Sequence, residues 1–344
     1  MSEKVLSIII PTYNMENYIS KCLDSLLIPS VDLIEVLVIN DGSKDKTSEI
    51  AHKYAEKYPQ SIRIIDKENG NYGSCINRGL KEATGKYVKV LDADDSFDTD
   101  NLEKFIQFLR KRNEELVFSN YTKCNNNRIY TEKTYSIEPL KTVQFKEIIE
   151  KEAKMTMHSV AYLRSIFKKF KYEQTEGISY TDWEWVFLPL AYVYSACYFN
   201  KNIYNYLIGR EGQTVTFETM QKNVDQLITV ATSLLLTYKN LPDTIPEPNK
   251  NYLKGALKIL LKFIYDILLL HYRKGNDKIM NEFDSIVIAL NGILYEELNM
   301  EKTRYGVYYI KLWRKRKHLP VYFQLLNKSY YQLSNLKSKI FKRN

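Results

Sequence analysis

Three carboxylates stand within four residues at one point of the chain. The run Tyr87–Leu91 is mainly apolar and β-branched, which is typical of a buried strand in a parallel sheet. Asp92, Asp94 and Asp95 follow it directly. Residues i and i+2 of an extended segment point to the same side, so Asp92 and Asp94 can converge on one ligand. Asp95 is expected to point away or to cap the next helix. Because Mg²⁺ binds one or two protein carboxylates and completes its shell with water and phosphate oxygens, this strand end is predicted to be a metal–diphosphate site.

The flanking segments predict a parallel sheet that positions this strand end. Apolar runs alternate with segments of helical spacing from Val5 to Ser119, as in βαβ units. The expected strands are residues 5–10, 33–39, 61–65, 87–91 and 115–119, and the expected helices are residues 15–27, 46–58, 74–83 and 101–110. Ligands bind at the carboxyl ends of strands in such sheets. Polar clusters fall at three of those ends: Pro11–Asn14, Asn40–Ser43 and Asp92–Asp95.

The pattern changes in the second half of the chain. Residues 69–73 are expected to form a turn-rich loop, and residues 120–140 a loop or hairpin. Later elements are predicted to be a strand at 159–163, a helix at 181–191, an edge strand at 203–207, and helices at 219–239, 250–273, 276–298, 303–318 and 321–341. The chain is therefore predicted to hold an α/β domain over residues 1–216 and a helical region over residues 217–344.

The motifs, taken in chain order, resemble those of family 2 glycosyltransferases with the GT-A fold. They read Pro11-Thr-Tyr13-Asn, Asn-Asp41-Gly-Ser, Asn77-Arg-Gly79, Leu-Asp92-Ala-Asp94-Asp95, Thr181-Asp182-Trp-Glu184 and Tyr204-Asn-Tyr206 with Arg210 and Gly212-Gln213-Thr214. The resemblance covers roughly residues 4–216, and the ordered set is specific although each motif alone is weak. It implies a GT-A, Rossmann-like, mostly parallel sheet flanked by helices, with a C-terminal all-helical extension. This set of motifs also resembles that of a bacterial subgroup of the family that is linked to surface polysaccharide synthesis.

The resemblance also implies roles for individual residues. Asp182 matches the catalytic base, and Asp94 together with Asp92 matches the ligands of Mg²⁺ or Mn²⁺. The residues that match the nucleotide-sugar site are Pro11, Thr12, Tyr13, Asn14, Asp41, Gly73, Asn77, Asp92 and Ala93. The family's Ala-Arg-Asn pattern lacks its arginine here, so Arg78 or Lys67 is the candidate to meet the diphosphate.

Each motif also has an ordinary structural interpretation. The Pro11–Asn14 segment can be a plain loop, and Asp41-Gly42 a common turn. One of Asp95, Ser96 and Asp98 can cap the helix that begins near Asn101. Thr181-Asp182-Trp-Glu184 fits a capping box, which is compatible with a catalytic Asp182 because a helix N-terminus keeps a carboxylate ionised. Arg210 with Gln213 and Thr214 can be either a loop that closes over a diphosphate or an exposed turn.

The positive charge of the chain is concentrated at its end. The net charge is +9, but residues 301–344 contain twelve lysine and arginine residues and one acidic residue, so the remaining 300 residues carry about −2. Tyr305, Tyr309 and Trp313 lie four residues apart on one helix face of this segment. They can pack in a helical bundle or contact anionic lipid. Nucleic-acid binding is not expected, because no nucleic-acid fold signature accompanies the charge.

Together these features and the family resemblance predict a cytoplasmic, metal-dependent glycosyltransferase, and the resemblance implies that it inverts the anomeric carbon. The expected donor is a UDP-sugar and the expected acceptor a hydroxyl of a saccharide or a lipid-linked saccharide. The four widely spaced cysteines suit a reducing compartment, and no signal peptide or transmembrane segment is expected. A nucleotidyltransferase and a non-catalytic nucleotide-sugar-binding protein are the alternatives. Peripheral membrane contact through residues 303–344, at the inner face of the cell membrane, and a homodimer are left open.

Overall fold

The chain forms two compact units in the computed structural model. The structure describes residues 3–125, 128–151, 154–210, 213, 217–271, 276–303 and 306–316. The first unit comprises Met1–Gln213 and Ile245–Asn249, and the second comprises Thr214–Thr244 and Lys250–Asn344.

A mixed sheet forms the centre of the first unit. Its strands are β1 (Leu6–Thr12), β2 (Ile34–Asn40), β3 (Ile62–Asp66), β4 (Tyr87–Val90), β5 (Ser96–Phe97), β6 (Leu116–Asn125), β7 (Arg128–Lys133), β8 (Thr142–Gln144), β9 (Val160–Leu163) and β10 (Ser195–Leu207). The order is β3-β2-β1-β4-β9-β6-β10-β5, with β7 beside β6 and β8 beside β10. Strands β3, β2, β1 and β4 are parallel to one another, as are β6 and β10, whereas β9 is antiparallel to both of its neighbours. The predicted GT-A-like, mostly parallel sheet is therefore confirmed.

Helices cover this sheet and close its core. They are α1 (Ile19–Asp24), α2 (Thr47–Lys57), α3 (Asn71–Glu82), α4 (Thr99–Leu109), α5 (Phe145–Glu150) and α6 (Asp182–Leu190). The residues of β1 and β2 are almost all buried on both faces, which explains why their sequences are continuous apolar runs rather than alternating ones.

Two local predictions for the first unit are wrong. Residues 203–207 are not an edge strand, because they end the 13-residue strand β10, which pairs with β6 on one side and with β5 and β8 on the other. The exposed pair Asn200 and Lys201 interrupts the burial pattern where the register with β6 shifts, so the two apolar halves do not appear as one strand in the sequence. The predicted loop 69–73 is also shorter than expected, since α3 already begins at Asn71.

The second unit consists of helices in the part of the chain that the structure describes. They are α7 (Phe217–Lys222), α8 (Val224–Lys239), α9 (Glu247–Tyr265, continued by a π-helical turn over Asp266–Leu270), α10 (Asn276–Leu290), α11 (Gly292–Leu298) and α12 (Tyr309–Lys315), and only the first three residues of α9 belong to the first unit. The predicted helix 276–298 is broken at Asn291, whose Oδ1 accepts from the Leu294 backbone N–H at 3.0 Å and caps α11. None of the helices described is long and apolar enough to span a bilayer.

The aromatic stripe before the basic tail packs inside the helical unit. Tyr309 and Trp313 are buried, and the Tyr309 hydroxyl donates to Asp266. Arg314 follows on the same helix and donates from Nε to Asp284 Oδ1 at 2.9 Å. The packing interpretation is therefore correct for Tyr309 and Trp313, which cannot serve as lipid anchors while they are buried. Tyr305 and the predicted helix 321–341 lie outside the described residues.

A close approach of α3 to β1 gives a stability prediction. A Cβ at Gly79 would lie 2.4 Å from Cγ2 of Ile9, which is fully buried. We expect Gly79→Ala to lower the free energy of unfolding by about 1–3 kcal/mol, because overpacking forces Ile9 or the helix to move. Gly255→Ala is the matched control. Gly255 lies on the exposed side of α9, and a Cβ added there would have no atom within 4 Å, so this change should stabilise by about 0.5–1 kcal/mol. Urea unfolding curves measure both, and an unchanged midpoint for Gly79→Ala would contradict the close packing.

Candidate functional site

The three carboxylates converge at the carboxyl end of β4. One oxygen from each of Asp92, Asp94 and Asp95 lies within 4.8 Å of the others. Strand β4 lies beside β1 in the middle of the sheet. The hydrogen bond continues one residue past β4, where the Leu91 N–H donates to the Ile9 carbonyl at 3.0 Å, so the chain is held in place directly before Asp92. The cluster is chemically suited to a hard divalent cation, because such ions take several oxygen ligands.

Asp92 is held from two sides. Its Oδ1 accepts from the Tyr72 hydroxyl at 3.0 Å, and its backbone N–H donates to the Tyr204 hydroxyl at 3.1 Å. Burial raises the pKa of Asp92 to about 7, and the neighbouring charge of Asp94 adds to the shift. The carboxylate is therefore crowded by negative charge, which a bound cation would relieve.

Asp95 is buried and both of its oxygens are occupied. Oδ2 accepts from the Tyr204 hydroxyl at 2.6 Å, and Oδ1 accepts from the Leu207 backbone N–H at 2.7 Å. Burial raises its pKa above the ordinary range. The expectation that Asp95 points away or caps a helix is wrong. Asp98 is the cap, since its Oδ1 accepts from the Asn101 N–H at 2.9 Å at the start of α4.

Asp94 forms an ion pair with Arg210 in the segment after β10. The Arg210 Nε donates to Asp94 Oδ2, and the guanidinium lies 5.5 Å from the centre of the Tyr18 ring. Gln213 is buried, and it accepts from the Gly209 N–H at 2.8 Å and donates to the Leu207 carbonyl at 2.6 Å. The described part of this segment is thus folded against the carboxylate cluster, so the exposed-turn interpretation is wrong. Thr214 lies outside the described residues.

Asp182 is the first residue of α6 and is partly exposed. Burial raises its pKa to about 6, although hydrogen bonds from the backbone N–H groups of Asp182 itself and Trp183 act to lower it. Its charge in turn raises the pKa of both Asp92 and the Tyr72 hydroxyl, so Asp182 lies close enough to the carboxylate cluster to interact electrostatically. The capping-box prediction is wrong. The Thr181 side chain makes no capping hydrogen bond, and its hydroxyl is buried without a hydrogen-bond partner among the described residues.

The strand ends of β1 and β2 border a cavity of about 510 Å³. It is lined by Tyr13, Gly42, Lys44, Asp66, Lys67, Glu68 and Asn69. Tyr13 is 45% exposed, so its side chain is available for stacking on a planar ring. Asp41, at the end of β2, is buried; its Oδ1 accepts from Lys67 Nζ at 2.6 Å and from the Gly70 N–H at 2.9 Å.

The other residues that match the nucleotide-sugar site differ in their accessibility. The Thr12 hydroxyl donates to the Ile10 carbonyl, and Asn14 Oδ1 accepts from the Lys44 N–H, so both side chains brace the loop. Pro11 is partly buried within β1, and Ala93 is buried between the two metal-ligand candidates. Gly73 and Asn77 lie on α3, where they pack against residues 174–176.

The two candidates for the missing arginine are placed differently. Arg78 is exposed and its Nε donates to Glu82 Oε1 at 3.1 Å, one turn along the same helix. Lys67 lines the cavity, and its ammonium group donates to Asp41, to the Glu68 carbonyl and to the Ser74 hydroxyl.

Three residues around the carboxylates were missed as site residues. Tyr72 and Tyr204 bind the cluster through their hydroxyl groups, and Arg210 was noted only as part of a loop. The sequence signal for Tyr204 is its place in the Tyr204-Asn-Tyr206 motif. His158 is partly buried and packs against the rings of Tyr121 and Tyr206, and loss of solvent around the ring lowers its pKa to about 3, so it is a neutral packing residue.

The amino-acid sequence matches one family model and several curated proteins. Residues 7–171 match the model of glycosyl transferase family 2. An uncharacterized glycosyltransferase of Mycoplasma genitalium is 39% identical over 138 residues, which are 39% of this chain and 45% of that protein. The uncharacterized glycosyltransferase EpsJ of Bacillus subtilis is 34% identical over 124 residues, 36% of each chain. Glycosyltransferase GlyA of Streptococcus pneumoniae is 34% identical over 120 residues, 35% of this chain and 17% of that protein. The matched segments thus span less than half the length of these relatives.

Solved structures share the fold at low sequence identity. TarS 1–349 of Staphylococcus aureus, in complex with UDP-GlcNAc, superposes with a TM-score of 0.62 at 20% identity and covers 84% of this chain and 82% of that one. The mannosyltransferase PcManGT of Pyrobaculum calidifontis, in complex with GDP-Man and Mn²⁺, gives a TM-score of 0.52 at 16% identity over 92% of this chain and 89% of that one. Residues 7–171 of the chain are therefore similar to glycosyl transferase family 2, and the first unit has the fold of these solved structures.

Proposed function

We propose that the protein is an inverting, metal-dependent glycosyltransferase that moves a sugar from a UDP-sugar to a hydroxyl acceptor. The observation that supports this proposal is that the charge of Asp182 acts on Asp92, a member of the clustered carboxylates Asp92, Asp94 and Asp95, as expected of a base near a metal site. Bound UDP-GlcNAc in the TarS structure, and GDP-Man with Mn²⁺ in PcManGT, support a nucleotide-sugar donor for a chain of this fold.

The donor nucleotide is proposed to occupy the cavity beside Tyr13. The exposed Tyr13 ring would stack on uracil, and Asp41 at the rear of the loop would accept a hydrogen bond from the base or ribose. Lys67, which already neutralises Asp41, is the cation we assign to the phosphate side of this cavity. Pro11, Thr12 and Asn14 hold the loop that presents the tyrosine.

The metal is proposed to be Mg²⁺ or Mn²⁺, held by Asp94 and Asp92. Asp95 would not contribute, because both of its oxygens already accept hydrogen bonds from the protein. When bound, the ion would act as a Lewis acid that neutralises the diphosphate leaving group. The Arg210 guanidinium forms an ion pair with Asp94. Its side chain is long enough that the guanidinium would also contact a diphosphate bound beside that carboxylate.

Asp182 is proposed to remove the proton of the acceptor hydroxyl. A base must be ionised, and a carboxylate with a pKa of about 6 is mostly ionised at pH 7 while its basicity is raised toward the working pH. The hydroxyl oxygen then bonds to the anomeric carbon as the bond from that carbon to the diphosphate breaks. Attack from the face opposite the leaving group inverts the anomeric configuration.

The role of the remaining chain is also a proposal. Residues 1–216 would be the catalytic domain, acting in the cytoplasm on a saccharide or lipid-linked acceptor of bacterial surface polysaccharide synthesis. Peripheral membrane contact through residues 303–344 stays a prediction. Lys311, Lys315 and Arg316 are exposed, and residues 317–344 lie outside the described residues. A homodimer likewise stays a prediction.

The metal assignment predicts that the Mn²⁺-dependent part of donor binding is lost without Asp94. Asp94→Ala should fold normally, since it removes a carboxylate from a crowded site, but its affinity for UDP should no longer respond to Mn²⁺. Isothermal calorimetry with UDP, with and without Mn²⁺, measures this. Glu49→Ala, which removes an exposed carboxylate paired with Lys53 on α2, is the control and should behave as the unaltered protein. Unchanged Mn²⁺-dependent affinity in Asp94→Ala would refute the metal assignment.

The raised pKa of Asp92 predicts a pH-dependent stabilisation by metal. A carboxyl whose pKa is raised in the folded state contributes stability that is complete below its unfolded pKa and is lost as pH rises through the folded value, here about 7. The melting temperature in chelator should therefore fall between pH 6 and pH 8. Mg²⁺ binds the ionised form, so the shift that it produces should be larger at pH 8 than at pH 6. Asp92→Asn should remove this difference; an equal Mg²⁺ shift at both pH values in the unaltered protein would contradict it.

The base assignment predicts that donor binding and turnover separate at Asp182. Asp182→Asn should bind UDP with Mn²⁺ normally, yet release UDP from a UDP-sugar at least ~100-fold more slowly, the lower end for loss of a general base. The rate of the unaltered enzyme should rise with pH through about 6, and the variant should lack that rise. The donor is chosen by thermal shift from a panel of UDP-sugars, and UDP release is measured with water or an added saccharide as acceptor. Full activity in Asp182→Asn would overturn the assignment.

A further inference from the structure

Helix α3 contacts the carboxylate cluster and the segment before Asp182 at the same time. From its first turn, the Tyr72 hydroxyl donates to Asp92. From the side that faces residues 174–177, the Gly70 carbonyl, just before the helix, accepts from the Gly177 N–H at 2.8 Å. A Cβ at Gly73 would lie 2.1 Å from the Thr175 carbonyl oxygen, so only glycine permits this approach.

The Asn77 amide binds this segment with both of its polar groups. Its Oδ1 accepts from the Gln174 backbone N–H at 2.8 Å, and its Nδ2 donates to the Gln174 carbonyl at 3.0 Å. The Nδ2 also donates to Glu176 Oε1 at 2.9 Å. Because the Asn77 amide pairs with both the backbone N–H and the carbonyl of Gln174, it fixes the position of Gln174 along the axis of α3. The same pairing leaves the amide engaged with protein, whereas the family resemblance assigns it to the donor.

The segment is joined in turn to the start of α6 through Glu184. Thr175 donates from its backbone N–H to Glu184 Oε2 at 2.7 Å and from its hydroxyl to Glu184 Oε1 at 2.8 Å. Glu184 is 1% exposed and stands in the first turn of α6, two residues after Asp182. A buried carboxylate that accepts two short hydrogen bonds is strongly held, because leaving it unpaired would carry a large desolvation cost.

We propose that Asn77, Thr175 and Glu184 are positioning residues that hold Asp182 at a set distance from Asp92. The connection runs from α3 through residues 174–176 to the first turn of α6, and the same helix holds Asp92 through Tyr72. A base must lie within hydrogen-bond reach of the hydroxyl it deprotonates, so this distance decides the rate of the chemical step rather than the affinity for donor. The inference rests on the proposed role of Asp182 as the base.

The test compares single and double variants in the full chain. Asn77→Ala should lower kcat for UDP release by roughly 10- to 100-fold with the donor KM unchanged, since misplacing a catalytic group by about 1 Å costs up to ~100-fold. In the Asp182→Asn background the same Asn77→Ala change should have no further effect on kcat, because there is no base left to misplace. Lys81→Ala, an exposed change on α3 one turn from Asn77, is the matched control and should leave kcat unchanged.

A conservative pair keeps the test valid if Asn77→Ala folds poorly. Thr175→Ser retains the hydroxyl and should keep kcat, whereas Thr175→Val removes only the hydrogen bond to Glu184 Oε1 and should lower kcat at constant KM. The rise of rate with pH near 6 should move toward the ordinary aspartate value of about 4 in Thr175→Val, because a loosened α6 start admits water to Asp182.

The outcomes separate this inference from the proposed function. If Asp182→Asn is inactive but Asn77→Ala and Thr175→Val both keep their kcat and pH profile, the positioning role is refuted and the base assignment stands. Equal loss from Asn77→Ala in the two backgrounds would also refute it, since that is the behaviour of a purely structural contact. Full activity in Asp182→Asn would instead refute the base assignment itself.

Discussion

The arrangement of the first unit depends on placing three carboxylates at the end of one buried strand. Asp92, Asp94 and Asp95 repel one another at this distance, and burial removes most of the water that would screen them. The chain offsets this cost with donors from remote segments: Tyr72 lies 20 residues before Asp92, whereas Tyr204, Leu207 and Arg210 lie more than 100 residues after the cluster. The site therefore exists only after β10 and the segment that follows it have docked.

The three carboxylates differ in how many of their oxygens accept hydrogen bonds from the protein, and this difference suggests different roles. Asp95 has both oxygens bound by β10, so it joins the sheet to the strand end in the manner of a structural residue. Asp92 and Asp94 each retain an oxygen without a hydrogen bond among those described, which is why these two are the proposed ligands of a cation. Tyr204 serves both sides of this division, because its hydroxyl accepts from the Asp92 N–H and donates to Asp95. Asp95 thus helps, through Tyr204, to fix the position of Asp92, one of the two proposed ligands.

The sequence was informative where the signal is local and uninformative where it depends on long-range partners. Alternating apolar runs and helical segments predicted β1 to β4, and the polar residues after them marked the correct edge of the sheet, because strand direction fixes where parallel strands end. The length of β10 was missed, since its exposed bulge at Asn200 and Lys201 divides one strand into two short runs. The capping box at Thr181 was wrong because Glu184 is engaged by Thr175, a choice that only the tertiary fold reveals.

Charge balance gives the last argument about the cluster. Among the described residues, Arg210 is the one cationic side chain in a hydrogen bond or ion pair with these three carboxylates. If all three carboxylates are ionised, they and the Arg210 guanidinium together carry a net charge close to −2. One divalent cation would neutralise this charge. The raised pKa of Asp92 has the same origin, since without such an ion the site lowers its charge by retaining a proton. The Leu207 N–H donates to Asp95 only three residues before Arg210, so the segment that satisfies Asp95 also brings the guanidinium to Asp94 and lowers the charge that a cation would have to neutralise.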